Sequence, residues 1–373
     1  MLRTRMLVLQ PTPYCNVSCD YCYLKSRDQR SIMDLATIEA IAERVIAHIE
    51  PQTETVVVWH GGEATTVPLE WYRSAYSKLR VAKGGIPLAF SIQTNGVALS
   101  DAWTQFFVDT KTQVGLSLDG PEYLHNRYRH TRSGGGTWHL AMRALDTLRR
   151  RGIEPGIITV LTAEALNYPL EMLAFYTQHG INDVSFSVEE REGANVVSSL
   201  DISGIENVVE EFLVCFLRGI IENNLPIRLR EAERILGLLA AGEPAYLTNE
   251  QTTPFACITI DWSGGLYTYS PEFTEHAAGE WDFLRVGNIR EQSLSEICRD
   301  PRLRRLIPEV SAGLIECRSR CEFWEICGGG SPVNRLAEHG SLAVPETQFC
   351  RLTVQATARA LHRLVVRDSI RQQ

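Results

Sequence analysis

Short apolar segments alternate with amphipathic segments from residue 5 to about residue 190, and this alternation constrains the fold most strongly. The apolar segments, predicted as strands, are Arg5–Gln10, Thr55–Trp59, Leu88–Gln93, Gln113–Leu118, Pro155–Leu161 and Asp183–Val188. The segments with apolar residues at helical spacing lie near 34–48, 69–83, 101–109, 137–151 and 169–179. Six strands alternating with five helices predict parallel βα units, arranged as an open sheet or a barrel.

Polar and glycine-rich residues follow four of these strands at their carboxyl ends. They are the cysteine-rich segment 15–22, then Gly61-Gly62-Glu63, Thr94-Asn95-Gly96 and Asp119-Gly120-Pro121. In barrel enzymes the carboxyl ends of the strands form the active-site face. Because six units are too few to close an eight-stranded barrel, the sequence predicts an α/β fold with a partial (β/α)6 barrel that is open on one side.

The rest of the chain is predicted to form further regions. The predicted division is a barrel over 1–200, a helical bridge over 201–249, a cysteine-rich extension over 250–351 and a closing helix over 352–373. Within the extension, Ile258–Tyr269 predicts a hairpin that turns at two glycines, and Glu296–Leu306 predicts a helix. Residues 313–350 show little periodicity, so we expect a metal to stabilise them.

Charge and hydropathy exclude two classes of partner for this 373-residue chain. The formal net charge is −8, and the sequence lacks the basic stripe that a nucleic-acid-binding surface needs. No run of 18 apolar residues occurs, and the first residues lead into a strand rather than into the apolar core of a signal peptide. We therefore expect a cytoplasmic protein with no nucleic-acid or membrane partner.

Ten cysteines are many for a cytoplasmic enzyme, and most fall into two groups. The front group is Cys15, Cys19 and Cys22, and the back group is Cys317, Cys321, Cys327 and Cys350. In a reducing compartment such groups are typical of metal or redox ligands rather than of disulfides. Cys215 and Cys298 stand alone and are predicted to be buried core thiols, because lone cysteines are usually buried.

The front group places three thiols within eight residues, with three and then two residues between them. Four cysteines saturate an iron–sulfur cube, whereas three leave one iron open to another ligand. Zinc usually recruits cysteine pairs with two further ligands, and no histidine lies nearby, so zinc fits this spacing poorly. The spacing therefore predicts a [4Fe–4S] cluster with one open iron.

This spacing, with Tyr21 just before the last cysteine, resembles the motif of the radical S-adenosylmethionine (SAM) superfamily. The resemblance implies that SAM binds the open iron and that one electron cleaves it to a 5′-deoxyadenosyl radical, which abstracts a hydrogen atom from the substrate. It also implies an electron donor such as ferredoxin or flavodoxin. The cofactor then supplies the difficult chemistry, and the protein orients it.

Residues at the other strand ends match positions that surround SAM in this family. The matching residues are Gly61, Gly62, Glu63, Asn95, Ser117 and Asp119. The glycines let backbone carbonyls approach the SAM amino group, and Ala64 replaces the usual following proline. Asn, Ser and Asp are also common turn residues, so turn chemistry is the alternative for those positions.

Three further residues complete the predicted SAM site. An arginine commonly grips the SAM carboxylate through a bidentate pair, and both Arg129 and Arg132 are candidates. Glu189, at the end of the sixth predicted strand, is expected to face the same site.

The back group can saturate a second [4Fe–4S] cluster, with a four-cysteine zinc ribbon as the alternative. Beside the front motif, this segment resembles the SPASM extension of radical SAM peptide maturases. A full extension helps build two auxiliary clusters, but two cysteine positions of the first are Ser270 and Ser331 here, which leaves Cys257 without partners. Serine is a poor ligand for such clusters, so we predict only the second auxiliary cluster.

Phrases along nearly the whole chain resemble the maturases of the glycine-rich-repeat system (the GrrM-like group), which form cyclophanes in ribosomally made peptides. The phrases are Leu9–Asn16, Asp261-Trp262, Ser270–Phe273 and Cys327–Asn334. The resemblance implies a precursor-peptide substrate, in which a side-chain β-carbon is joined to an aromatic ring carbon. A sulfatase-type maturase that makes formylglycine is the alternative enzyme. A non-catalytic iron–sulfur or zinc-stapled binding module is the alternative from another class.

Sulfatase maturases place an acidic base directly after the cysteine that is Ser270 here. Pro271 occupies that position, so Glu272 is the nearest substitute and the candidate catalytic base, with a solvated surface acid as the alternative. Because the first strand begins by residue 5, we expect leader binding to use the open barrel edge, the extension or a separate protein.

Overall fold

The computed structural model describes residues 1–81, 87–242 and 244–371. Its strands are β1 (Met6–Leu9), β2 (Val17–Cys19), β3 (Thr55–Trp59), β4 (Leu88–Thr94), β5 (Gln113–Ser117), β6 (Arg129–Thr131), β7 (Gly156–Leu161), β8 (Asp183–Val188), β9 (Arg228–Leu229), β10 (Cys257–Ile260), β11 (Gly265–Thr268) and β12 (Gly287–Asn288). Its α-helices are α1 (Leu35–Arg44), α2 (Leu69–Val81), α3 (Asp101–Thr110), α4 (Glu122–Tyr128), α5 (Trp138–Arg149), α6 (Pro169–Gln178), α7 (Ile205–Glu222), α8 (Arg230–Ala241), α9 (Leu294–Ile297), α10 (Pro301–Arg320), α11 (Trp324–Cys327), α12 (Pro332–His339), α13 (Gln348–Cys350) and α14 (Ala356–Arg371).

Most of the strands form one ten-stranded sheet, in the order β12-β11-β10-β1-β3-β4-β5-β7-β8-β9, and β2 pairs separately with β6. Neighbours from β10 to β9 run parallel, whereas β10, β11 and β12 are joined antiparallel. Among the described residues the end strands β12 and β9 do not pair with each other, so the sheet is open. The predicted α/β fold is therefore confirmed, with its βα units side by side in chain order.

The six predicted strands are β1, β3, β4, β5, β7 and β8, and each end lies within one residue of its prediction. The five predicted helices are α1, α2, α3, α5 and α6; residues 82 and 83, at the predicted end of the second, lie outside the described residues. The sequence does not predict β2 and β6, because three residues are too few to show a period of two.

Alternate residues of the central strands face opposite sides of the sheet. In β7, Ile157, Thr159 and Leu161 are buried, whereas Ile158 and Val160 are half-buried and line a cavity. Because side chains alternate along a strand, helices that cover one face leave the other face free. That free face lines the candidate site.

Two hydrophobic clusters fix the strands beneath the helices. The first packs β1, β3, β4, β10 and β11 with α1, α2 and α3, and the second packs β5, β7 and β8 with α5, α6, α7 and α14. Trp59 and Phe216 are completely buried in the first and second cluster, respectively. Each large apolar side chain buried in this way contributes about 1.5–3 kcal/mol. The loops at the strand ends are thus carried by a rigid support.

The predicted C-terminal hairpin is confirmed and extends the main sheet. β10 and β11 pair antiparallel, with Ile258 opposite Thr268. On its other edge β10 pairs parallel with β1, which places Cys257 opposite Met6. The extension and the first βα units therefore share one sheet.

The prediction of a single helix over Glu296–Leu306 is wrong. α9 ends at Ile297 and α10 begins at Pro301, because proline is favoured in the first turn of a helix, where its missing N–H would have no partner within the helix. α10 then continues to Arg320, so part of the segment predicted to lack periodicity is helical.

The division at residues 200, 249 and 351 stays a prediction. The closing helix is α14, preceded by a π-helical segment over Arg351–Gln355, and residues 372 and 373 lie outside the described residues. None of the helices in the described ranges has both the length and the apolar character needed to cross a membrane.

Candidate active site

The front cysteines lie on a loop that leaves β1 and is fixed by the β2–β6 pair. Cys19 lies opposite Arg129 in that pair. Cys15 and Cys19 are buried and Cys22 is half-buried. The Nε and Nη2 groups of Arg132 donate to the Cys15 carbonyl oxygen at 3.0 and 2.7 Å. Backbone pairing and this arginine therefore set the loop conformation.

A cavity of about 330 Å³, which we call the front cavity, lies against the three thiols. Inner-face residues of the sheet, among them Gln93, Ser117 and Ile158, form part of its wall. The predicted residues that line it are Cys15, Cys19, Tyr21, Cys22, Gly61, Gly62, Glu63, Asn95, Ser117, Arg129, Glu189 and Glu272. Asp119 and Arg132 are not part of this lining. The loops after β1, β3, β4 and β8 and the end of β5 thus meet at one cavity.

Gly61 and Gly62 adopt positive φ angles of 80° and 50°. A Cβ on Gly62 would lie 2.4 Å from the Tyr14 carbonyl oxygen and 2.6 Å from that of Thr12. The Glu63 N–H donates to the same Tyr14 oxygen at 2.7 Å. Glycine is therefore required here both by its backbone conformation and by the close approach of the cysteine loop.

The Glu63 carboxylate is hydrogen-bonded to residues of the loops after β3 and β4. It accepts hydrogen bonds from Thr94 Oγ1 at 2.6 Å, from the Asn95 N–H at 2.7 Å and from the Thr65 N–H at 3.1 Å. Burial raises the pKa of Glu63, and these hydrogen bonds oppose the shift. Glu63 thereby connects the loops after β3 and β4.

Asn95 and Ser117 place polar groups in the cavity wall. Asn95 Nδ2 donates to Asn16 Oδ1 at 2.8 Å and lies 3.8 Å from Cys15 Sγ. Ser117 Oγ accepts a hydrogen bond from Gln93 Nε2 at 3.2 Å. Hydrogen-bonding groups therefore lie directly beside the thiols.

Asp119 is the counter-ion of Arg129 and does not line the front cavity, so its contact with SAM stays a prediction. Arg129 Nε binds Asp119 Oδ2 at 2.7 Å and Nη2 binds Oδ1 at 3.1 Å, while the Tyr21 hydroxyl and the Val160 N–H donate to the same carboxylate. Burial alone would raise the pKa of Asp119, but the charge of Arg129, together with the hydrogen bonds from Arg129 and Tyr21 and the nearby His125, holds the pKa below the usual value. All of its acceptor capacity serves neighbouring protein groups.

The two candidate arginines occupy different places. Arg129 lines the front cavity, and its Nη1 lies 3.9 Å from Cys19 Sγ. The guanidinium of Arg132 instead binds the backbone oxygens of Cys15 and Arg27 and the Asp28 carboxylate. Arg132 therefore stabilises the cysteine loop from outside the cavity.

Four glutamates form an acidic wall of the front cavity: Glu189, Glu190, Glu192 and Glu272. The first three follow β8, and the last lies in the turn Pro271–Glu275 after β11. Glu192 is only 4% exposed. Burial, and then repulsion between neighbouring carboxylates, raises the pKa of Glu190 and of Glu192 well above the usual value.

Glu272 is half-buried, so its interpretation as a solvated surface acid is wrong. Its turn is drawn inward by Phe273, which is completely buried, and burial raises the pKa of Glu272. Glu189 also lines the cavity as predicted, and its Oε2 accepts from the Ser199 N–H at 3.0 Å.

The sequence interpretation missed Glu190, Glu192, His60 and His276. The signal for the glutamates was the acidic run directly after the sixth strand, and His60 directly precedes the glycine pair. His60 Nδ1 is buried without a hydrogen-bond partner in the cavity wall, and burial lowers the pKa of this imidazole. His276 Nε2 lies 3.6 Å from Glu192 Oε1. The two residues are far apart in the sequence, so no local pattern predicts this contact.

The back cysteines surround a second cavity of about 330 Å³, which we call the back cavity. Cys317 lies in the last turn of α10 and Cys321 directly follows that helix, whereas Cys327 and Cys350 end α11 and α13. All four cysteines line the cavity together with Arg335. Helix ends thus supply every thiol of the back group.

A third cavity of about 530 Å³, the middle cavity, lies between the other two. It shares Glu190 and Glu272 with the front cavity, and Cys327 and Ser331 with the back cavity. Ser331 Oγ is hydrogen-bonded to Ser270 Oγ at 2.8 Å. The two serines at predicted cysteine positions are therefore adjacent in space.

The numbers of thiols at the two cavities fit the predicted clusters. A cube distributes its thiolates over separate irons. Three thiols beside a polar cavity fit a cluster with an open iron, and four thiols fit a saturated cluster.

The prediction for the lone cysteines is wrong for Cys298, which is exposed, and Cys215 is half-buried. Cys298 directly follows α9, whose inward side chains are Leu294 and Ile297, so the thiol falls on the outer side. Cys257 is completely buried, and burial raises the pKa of its thiol.

Residues 9–176 match the family model of the radical SAM superfamily. An uncharacterized protein of Synechocystis sp. is 32% identical over 363 residues, which cover 96% of this chain and 91% of that protein. A serine-type anaerobic sulfatase-maturating enzyme of Bacteroides thetaiotaomicron is 23% identical over 350 residues, which cover 87% of this chain and 81% of that enzyme.

Solved structures share the fold along the chain. Native anSMEcpe with bound AdoMet and Cp18Cys peptide has a TM-score of 0.80 at 20% identity, covering 99% of this chain and 100% of that chain. SuiB of Streptococcus suis bound to the precursor peptide SuiA has a TM-score of 0.66 at 15% identity, covering 93% and 76% of the two chains. Residues 9–176 of this chain therefore match the radical SAM superfamily, and the chain as a whole shares the fold of these two structures.

Proposed function

We propose that this protein is a radical SAM enzyme and that it installs a cyclophane in a ribosomally made precursor peptide, by joining a side-chain β-carbon to an aromatic ring carbon. The observation that carries the proposal is that the front cavity, which three thiols line, and the middle cavity share the carboxylates Glu190 and Glu272. The new bond replaces two C–H bonds, so one hydrogen leaves as an atom and the other as a proton and an electron. The two neighbouring cavities contain candidate groups for each of these steps.

In this proposal Cys15, Cys19 and Cys22 hold a [4Fe–4S] cluster. When bound there, the cluster and SAM supply a 5′-deoxyadenosyl radical that removes a hydrogen atom from the substrate. The loop with Gly61 and Gly62 offers its backbone to the SAM amino group, because no side chain intervenes.

Further cavity residues complete the proposed SAM site. Asn95 and Ser117 offer hydrogen bonds, and Glu189 lies in the same wall. Arg129, rather than Arg132, is the proposed partner of the SAM carboxylate, because its Nη1 is turned from the Asp119 pair toward the cysteine loop. Tyr21 fixes this arginine, since its ring lies 5.4 Å from the guanidinium and its hydroxyl binds the same aspartate.

Glu272 is the proposed base for the proton that leaves the aromatic ring, with Glu190 and Glu192 as the groups that share this proton. A carboxylate whose pKa is raised by burial is a stronger base than a solvated one and lies closer to the working pH. The pKa values of all three are raised. Carboxylates in contact titrate together, so the cluster stores one proton more readily than an isolated glutamate.

The proposed electron acceptor is an auxiliary [4Fe–4S] cluster held by Cys317, Cys321, Cys327 and Cys350, which line the back cavity. The Ser270–Ser331 hydrogen bond supports the expectation that no cluster occupies the intervening position. Iron analysis should therefore give about eight irons per chain. A content of about twelve irons would contradict the serine argument.

The partners in this proposal are a precursor peptide and an electron donor of the ferredoxin or flavodoxin class in the cytoplasm. A peptide substrate is supported by the two solved relatives, which were both captured with bound peptides. The acidic formal charge of −8 gives no support to a nucleic-acid partner.

The test is anaerobic reconstitution with iron, sulfide, SAM, a reductant and a peptide encoded by a neighbouring short reading frame. We expect SAM cleavage to 5′-deoxyadenosine and a peptide that has lost two hydrogen atoms. Tandem mass spectrometry should show no fragmentation between the joined residues. The matched control is Cys19→Ala, which should give neither product.

Formylglycine formation is the second candidate, favoured by the sulfatase-maturating relative that covers 87% of this chain. Oxidation of a serine would also remove two hydrogen atoms, so mass alone does not separate the two reactions. A hydrazide probe does, because it captures the aldehyde of formylglycine and ignores a cyclophane. A protein that binds iron but releases no 5′-deoxyadenosine would instead be the non-catalytic binding module.

A further inference from the structure

Arg335 is a buried cation in the wall of the back cavity. It lies on α12, is only 2% exposed and lines the cavity with the four back cysteines. Its Nη2 donates to the Gly329 carbonyl oxygen at 2.6 Å. Its Nη1 is buried without a hydrogen-bond partner.

A glycine in α10 makes room for this guanidinium. A Cβ on Gly313 would lie 2.5 Å from Arg335 Nη1 and 2.3 Å from the Leu342 carbonyl oxygen. Glycine inside a helix costs about 1 kcal/mol relative to alanine. Gly313 lies one turn before Cys317, so the same helix face carries a thiol and accommodates the arginine.

The four back cysteines are the candidate anionic groups that line the cavity with Arg335. A buried charge is stable only when it is paired and its hydrogen-bonding groups are satisfied. An anionic cluster held by these thiols would give the buried guanidinium a counter-charge and Nη1 an acceptor.

We propose that Arg335 donates a hydrogen bond to the auxiliary cluster and raises its reduction potential. The proposal rests on the auxiliary cluster of the proposed function. Reduction adds one negative charge to a cluster, and a nearby cation with a hydrogen bond to its sulfur stabilises that charge. Arg335 is in this sense a positioning residue, which favours electron transfer into the cluster.

With a cluster held by the back cysteines, the electrons of the crosslinking step would balance through an external carrier. The cluster would accept the one electron that leaves the substrate, and the accompanying proton would go to the glutamates of the acidic wall. An oxidised carrier of the ferredoxin or flavodoxin class takes the electron away afterwards. Asn334, the neighbour of Arg335 on α12, donates to Glu190, so one helix contacts both destinations.

The test measures the midpoint potential of the auxiliary cluster in the full-length protein. Cys15, Cys19 and Cys22 are replaced by alanine, so that the remaining paramagnetic signal belongs to the back cysteines. Redox titration followed by electron paramagnetic resonance is then compared with and without Arg335→Met. We expect the methionine variant to shift to a more negative potential by about 59 mV or more, a tenfold change in the reduced-to-oxidised ratio.

Two further variants define the cause of the shift. Arg335→Lys keeps the charge but loses the planar fork, so its shift should be smaller. Arg320→Met removes an exposed arginine that also lines the back cavity, and water should screen that charge. An equal shift in the Arg320 variant would contradict a specific role for the buried cation.

The outcomes separate this proposal from the proposed function. Absence of a cluster from the triple-alanine protein would refute the auxiliary cluster and with it the proposed electron acceptor. A cluster whose potential is unchanged by Arg335→Met would refute only the role of Arg335. If the methionine variant does not assemble its cluster, Arg335→Gln replaces it, because glutamine keeps a donor without the charge, and an unchanged potential there would equally refute the role.

Discussion

The front and back thiol groups have similar chemistry but different supports. The front thiols follow the carboxyl end of β1, an interior strand of the ten-stranded sheet, and β2–β6 pairing and Arg132 fix their loop. The back thiols lie at three helix ends, near Gly328, Gly329 and Gly330, which all have positive φ. The front site is therefore held by strand pairing, whereas the back site is held by packing between helix ends. We expect the two sites to respond differently to substitution.

The largest expected effect is loss of all chemistry when a front ligand is removed. Cys19→Ala should abolish 5′-deoxyadenosine formation while leaving the back cluster in place, so that iron falls to about four per chain. Chromatography of the nucleoside and iron analysis measure this result. Cys215→Ala, at a half-buried thiol outside both groups, is the control and should retain full activity. Loss of both clusters in Cys19→Ala would contradict the expectation that the two sites assemble independently.

Removal of a back ligand should uncouple the reaction rather than abolish it. Cys327→Ala should still cleave SAM to 5′-deoxyadenosine but form no crosslinked peptide, because the electron acceptor is missing. It should also unfold at lower temperature than Cys19→Ala, since the proposed cluster would stabilise the back segment. Calorimetry under anaerobic conditions and peptide mass spectrometry make the comparison. Equal melting temperatures for the two variants would contradict the difference in support.

Glu272→Gln should lower the crosslinking rate by about a hundredfold or more, because it removes the proposed base. In the wild type this rate should fall as pH drops through the raised pKa of Glu272, since the base works only when deprotonated. The variant should lose this pH dependence and still release 5′-deoxyadenosine. Glu275→Gln, in the same turn but outside the cavity lining, is the control. Crosslinking at full rate in the Glu272 variant would remove it from the mechanism.

Gly62→Ala should destabilise the front site by about 3 kcal/mol, combining a positive φ with a clash against backbone oxygens. Gly134 has a φ of 89°, and a Cβ there would meet no other atom. Gly134→Ala therefore measures the cost of the positive φ alone, about 1 kcal/mol. Thermal unfolding of the two variants gives the difference. Equal destabilisation would mean that the glycine loop tolerates a Cβ and that close approach is not required.

The smallest expected effect concerns stability and pH in the acidic wall. Because the pKa of Glu192 is raised in the folded protein, the folded state binds its proton more tightly than the unfolded state. Its contribution to stability is therefore present at low pH and is lost as pH rises through the folded pKa. Glu192→Gln should raise the melting temperature by a few degrees near neutral pH, with no gain in acid. Glu43→Gln on the exposed face of α1 is the control, and an equal gain there would refute the argument.

Local patterns predicted the fold because the relevant forces act between neighbours in the chain. The period-two and helical patterns placed all six central strands within one residue of their bounds. The short pair β2–β6 was missed because its strands show no period, although it positions Cys19 against Arg129. Apolar spacing alone predicted one helix over Glu296–Leu306, whereas the structure has two, and the second begins at Pro301.

The hydrogen-bond and ion-pair partners of the site residues were harder to predict, because these partners come from segments that are distant in the sequence. Arg129 and Arg132 have the same chemistry and lie three positions apart, yet one lines the cavity and the other holds the loop from outside. Asp119 follows a strand as an active-site residue would, but Arg129 occupies its carboxylate. Glu272 is drawn into the cavity by its buried neighbour Phe273.

The sequence by itself determined the α/β architecture and the three-plus-two spacing of the front thiols, because both depend on residues close in the chain. Only the tertiary structure decided which distant groups meet. In the structure Ser270 is hydrogen-bonded to Ser331, which lies 61 positions away in the chain. His276 lies beside Glu192, and Arg335 lines the back cavity with the back cysteines. Burial is the physical reason, since hydrogen-bond partners, charges and pKa values in this site follow from packing between elements that no local pattern records.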